Sequence, residues 1–167
     1  MKIIQALLLL VTLSVAMPAE AAPPSNPSRW ALGFMVGEPT GLTLKKWLGG
    51  PNAFDIGVGT GPGLRLHADY LFGLARLARE SSMNLDLYVG VGGVVGVNRG
   101  YCGWIHGDRF CHRGDDAFGG VRVPFGLDFV FKSAPLELGL EIAPGIWVSR
   151  PVYVGLMDAN LFVRFLL

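Results

Sequence analysis

Apolar and polar residues alternate over most of the chain with the two-residue period of a β-strand. In 29–37, Trp30, Leu32, Phe34 and Val36 alternate with Ala31, Gly33 and Met35. In 40–48, Leu42 and Leu44 alternate with Thr43 and Lys45. In 52–60, Phe54, Ile56 and Val58 stand against Ala53, Asp55, Gly57 and Gly59. In 64–72, Leu64, Leu66, Ala68, Tyr70 and Phe72 stand against Arg65, His67 and Asp69. The pattern returns in 84–97, 121–131, 136–148 and from about 153 to 167. In the last of these, Phe162 and Leu166 interrupt the polar face. Pro124 and Pro144 fall inside strand patterns and remove a ladder donor, which predicts a bulge or local kink at each. The segments between strands, including GLARLARESS and 98–118, read as connections.

Eight consecutive strand patterns predict one antiparallel up-and-down barrel. Alternation does not say which face is inside. A lipocalin-type barrel turns its apolar residues inward, whereas a membrane barrel turns them toward lipid. The second face decides between them. It carries Gly33, Gly57, Gly59, Gly90, Gly92, Gly126, Gly139 and Ala143, interleaved with charges. Glycine weakens a strand surface that faces water, but small residues make room for long ones inside a narrow eight-stranded barrel. The expected fold is therefore all-β, an eight-stranded antiparallel transmembrane barrel with its apolar face in lipid. The inward polar network would comprise Asp55, Arg65, His67, Asp69, Asp86, Arg122, Asp128, Glu137, Glu141, Asp158 and Arg164, with Lys45 and Lys132 beside them. Carboxylates outnumber bases in this set, and buried carboxylates need partners.

The N-terminus changes the picture from barrel to exported barrel. Lys2, the apolar run Ile3 to Met17 and the small-x-small residues Ala19-Glu20-Ala21 have the form of a signal peptide over 1–21. A Pro-rich segment, 22–28, follows, and the barrel occupies 29–167. An even strand number puts both termini on the periplasmic side, so odd-numbered connections face outward, where long loops are expected; the longest connection, the fifth, is one of these, while the first, third and seventh are short. The composition is half hydrophobic, with 24 Gly and a formal net charge of +1. No basic stripe suggests nucleic acid. GVGGVVG, Gly90 to Gly96, lies within a strand pattern and opens no helix, so it does not qualify as a dinucleotide fingerprint.

The fifth connection, 98–118, holds both cysteines, Cys102 and Cys111. Two nearby cysteines in an exported chain most simply form a disulfide. His106 and His112 would add zinc-type ligands, but their spacing matches no established zinc motif, and no metal or other cofactor is expected. Arg99, Tyr101, Trp104, Arg109, Phe110 and Arg113 have the composition of a binding hot spot on an exposed loop. The alternative is a loop that folds over the barrel mouth and packs on itself.

GEPTGLTLKKWL, NAFDIGVG, LHADYLFG and GVRVPFGLDFVF resemble segments of a family of small bacterial outer-membrane β-barrel proteins of largely unassigned function. That family is similar in architecture to the OmpA transmembrane domain. The resemblance covers roughly Trp30 to Leu167 and implies an outer-membrane location, with surface binding in some members. It also implies that the terminal strand, MDANLFVRFLL, is read by the barrel-insertion machinery. Such barrels usually end in Phe, and here the terminal residue is Leu167 with Phe165 two before it.

The expected function is non-enzymatic: a structural or surface-binding barrel in contact with outer-membrane lipid, whose loop 98–118 would meet any extracellular protein. Two other readings stand beside it. One is a soluble periplasmic barrel that binds an apolar ligand. The other is a lipid-modifying outer-membrane enzyme, for which His67 is the candidate base, although no Ser lies near it in sequence.

Overall fold

Among the described residues, twelve strand segments and no helix make up the fold, a closed antiparallel eight-stranded barrel with a separate hairpin. The structure is a computed structural model. It describes residues 29–61, 63–99, 102–105, 108–111, 115–148 and 158–167, with backbone alone for those between 98 and 116. The proposed signal peptide and Pro-rich segment therefore lie outside the described residues.

The first five barrel strands are β1 (Trp30–Glu38), β2 (Thr40–Trp47), β3 (Ala53–Thr60), β4 (Gly63–Arg79) and β5 (Met83–Arg99). A two-stranded hairpin follows, β6 (Cys102–Ile105) and β7 (Asp108–Cys111). The sixth barrel strand consists of β8 (Asp115–Arg122) and β9 (Phe125–Phe131). The seventh consists of β10 (Leu136–Ala143) and β11 (Gly145–Val148), and the eighth is β12 (Asp158–Leu166). Each strand pairs with the next in sequence, and β1 pairs with β12 to close the barrel.

The two prolines break the ladder without adding a residue. Tyr88 pairs with Gly126 and Gly92 with Arg122, so register is the same on both sides of Pro124. Each proline still accepts: Gly90 N–H donates to Pro124 O at 2.7 Å, and Val123 N–H to Pro144 O at 2.9 Å. The register shifts occur instead in β4, between Gly73 and Ala75 and between Arg76 and Ala78.

That observation corrects the reading of GLARLARESS as a connection. β4 continues to Arg79 and turns through 80–82 into β5. The continuation escaped the two-residue pattern because each shift changes which residues share a face. The fifth connection is also shorter than expected, since β5 runs to Arg99 and β8 begins at Asp115. Residues 153–157, assigned to the last strand from sequence, lie outside the described residues.

The alternation is inside out relative to a soluble domain. In β3 the burial pattern runs Ala53 in, Phe54 out, Asp55 in, Ile56 out, Gly57 in, Val58 out. In β12 it runs Asp158, Asn160, Phe162 and Arg164 in, with Ala159, Leu161, Val163 and Phe165 out. Phe162 is thus no interruption of the polar face; it belongs to the interior, where it is 2 % exposed.

Candidate functional site: the barrel interior and its hairpin

Glycine placement explains how a narrow barrel holds large side chains. Gly57 pairs across the ladder with His67, Gly92 with Asp69, Gly126 with Tyr88 and Gly139 with Phe162. A Cβ at Gly57 would come within 2.3 Å of His67, and one at Gly139 within 2.1 Å of Phe162. At Gly126 it would meet Tyr88 at 2.2 Å, and at Gly92 it would meet Asp69 Oδ1 at 1.9 Å. Every large inward group in this set therefore occupies the space that a glycine directly opposite leaves open.

From the end where β1 begins, the interior is filled in layers. The first is apolar: Ala31, Trp47, Ala53 and Leu71 with Leu166 packed against them. Above it lies a lower ionic tier. Lys45 Nζ binds Asp128 and donates to Glu137 at 2.9 Å. Arg164 donates to Glu137 at 3.1 Å, to Asp55 at 2.8 Å and to Thr43 Oγ1. Thr43 in turn donates to Asp55 at 3.0 Å. The Arg164 guanidinium lies 3.8 Å from the Phe162 ring centroid and Lys45 Nζ lies 4.6 Å from that of Trp47, so aromatic faces cover the cations where no carboxylate does.

The upper tier has its own set. Arg122 binds Glu141 through Nη2 and Asp158 through Nη1 at 3.3 Å, and its Nε lies 3.4 Å from Asp69. Tyr88 O–H donates to Glu141 at 2.8 Å. Arg65 donates to Asp158 at 2.8 Å and pairs with Glu38 at 3.3 Å, where the mouth begins. Its guanidinium lies 5.0 Å from the Trp147 ring and 5.6 Å from the Phe118 ring, which close the stack. Among the described residues, no ion pair joins the two tiers. An interior void bordered by Lys45, Asp86, Tyr88 and Asp128 measures about 20 Å³, room for one water.

Ten of the eleven network residues expected from sequence are buried inside the barrel, as is Lys45. Asp86 is the exception. It sits at the edge of the interior and pairs with Arg76 at 2.5 Å, a residue that the sequence reading left in a connection. Lys132 is exposed on the turn after β9, where its ammonium donates to the Glu80 carbonyl at 2.5 Å. Thr43, Tyr88 and Phe162 were missed as partners. Thr43 and Tyr88 do lie on the inward alternation, which is the signal that could have found them.

His67 is buried among these ions at 2 % exposure, with Nε2 3.9 Å from Asp69 Oδ2. Among the described residues no hydroxyl hydrogen-bonds to it, and Ser133 lies on an exposed turn between β9 and β10.

The hairpin register sets Cys102 directly opposite Cys111, Gly103 opposite Phe110 and Trp104 opposite Arg109. Directly opposed antiparallel residues have Cα atoms about 4.5–5.5 Å apart, within the ~4.4–6.8 Å span of a disulfide. Tyr101 and Arg113 fall outside the described residues. Arg99, Trp104, Arg109 and Phe110 are described in backbone only.

Comparison of the chain with protein-family models, with curated proteins and with solved structures finds no match.

Proposed function

We propose that this chain is an outer-membrane β-barrel that acts without catalysis, as a rigid membrane scaffold presenting the β6–β7 hairpin at the cell surface. The observation that carries the reading is the outer wall. Phe34, Val36 and Leu161 are 62 %, 64 % and 63 % exposed while Arg122, Glu137 and Asp158 are 0–1 % exposed. An apolar wall of this extent around an ionic interior would be unstable in water and is stable in hydrocarbon, where a closed ladder also satisfies every strand. The aromatic residues give further support. Trp30, Phe54, Tyr70, Phe72 and Phe165 face outward toward the end where β1 begins, with Lys46 Nζ 4.6 Å from the Trp30 ring. That is the composition of an interfacial girdle. The likeness of GEPTGLTLKKWL and related segments to small outer-membrane barrels points the same way.

The ionic tiers are structural in this reading. They give the barrel one packing arrangement and leave recognition to the hairpin, whose register supports a Cys102–Cys111 disulfide. An arginine scan of the wall tests the proposal. Leu140→Arg and Val163→Arg, near the middle of the wall, should cost ~2–4 kcal/mol on folding into phospholipid vesicles. Val148→Arg, near the rim, should cost at most ~1 kcal/mol. Equal tolerance at all three positions would mean that the wall does not face lipid.

A further inference from the structure

The two ionic tiers carry the same imbalance. The lower sets Lys45 and Arg164 against Asp55, Asp128 and Glu137; the upper sets Arg65 and Arg122 against Asp69, Glu141 and Asp158. In each, two cations face three buried carboxyls. The lower tier adjoins the water-sized void beside Asp128. In the upper tier the surplus falls on Asp69.

Asp69 is 1 % exposed, and neither of its carboxyl oxygens has a hydrogen-bond partner. The groups around it are committed elsewhere. Arg122 directs both terminal nitrogens to Glu141 and Asp158, and only its Nε approaches Asp69, at 3.4 Å without a hydrogen bond. Asp55 stands directly opposite on β3, where a like charge is destabilising. Arg164 is turned to Asp55 and Glu137. Gly92, opposite on β5, contributes no side chain, and Asp69 fills the space it leaves. His67, two residues back on the same face, is the remaining titratable neighbour. A buried carboxylate with no hydrogen bond and a shared counter-charge is strongly disfavoured, because nothing repays the loss of its hydration.

We propose that the Asp69–His67 pair is a binding site for one positive charge taken from solution, either a proton or a small monovalent cation. The site depends only on the interior and holds whether or not the wall faces lipid.

The test uses the folded full-length barrel. Infrared difference spectra of wild type against Asp69→Asn should contain a carboxylic-acid carbonyl band that the substitution removes, if the charge is a proton on Asp69. A proton on His67 would leave that band absent and give the ¹⁵N shifts of a charged imidazole. A bound cation would leave both groups unprotonated, and the urea midpoint of wild type, but not of Asp69→Asn, would rise in sodium chloride relative to choline chloride. Each of these outcomes supports the site and names its occupant. Should Asp69→Asn fail to fold, ¹³C-carboxyl NMR of aspartate-labelled wild type reports the same charge states without a substitution. An ionised Asp69 beside a neutral His67, with no difference between sodium and choline, would overturn the proposal and leave Arg122 as the sole counter-charge.

Discussion

Gly139 shows how much of this barrel is decided by single atoms. Its Cβ would fall 2.1 Å from Phe162, so even alanine forces the ring and the Arg164 guanidinium above it to move. We expect Gly139→Ala to lower stability by ~1–3 kcal/mol, the usual cost of overpacking, measured as the urea midpoint of unfolding. Gly93→Ala is the control, because the nearest atom to its Cβ would be 3.6 Å away and no rearrangement is needed. Arg164→Met should cost more, ~3–5 kcal/mol, since it leaves Asp55 and Glu137 buried with a counter-charge removed. A smaller loss than for Gly139→Ala would mean that packing, rather than pairing, holds the lower tier.

The elements separate into a closed barrel and a two-stranded hairpin that lies between β5 and β8 in the chain. Reading the strands from sequence worked wherever the two-residue period ran unbroken, as in β1 and β3. It failed at GLARLARESS because the two register shifts in β4 change which residues share a face, and nothing local marks such a shift. It also failed at the start of β8, where Asp115 to Gly120 is glycine-rich and has no apolar alternation to announce it. The interior was legible for the same reason as the strands. Charged residues that alternate with large apolar ones had to share a face, but which charge meets which depends on barrel closure and was not readable. Arg164 meets Asp55 from 109 residues away along the chain. At this scale the two sheets make a prediction. Because β6 pairs only with β7 among the described residues, Cys102→Ser with Cys111→Ser should leave the barrel's unfolding midpoint unchanged while trypsin cleavage after Arg109 speeds up. A matching fall in the barrel midpoint would show that the hairpin is part of the barrel's own stability.

For the whole molecule, one distribution organises everything else: an almost wholly apolar outer wall around an interior of ions, glycines and a few aromatic and aliphatic side chains. Glycines opposite large groups let the interior fill, and the filled interior braces the wall from within. The proposed scaffold role requires that the wall face lipid. The most direct test is electrophoresis of washed outer-membrane fractions with and without boiling. We predict a band in that fraction that runs as a compact barrel unboiled and shifts to the unfolded position when boiled. Recovery of the chain wholly in the soluble periplasmic fraction, with no detergent needed, would contradict the account.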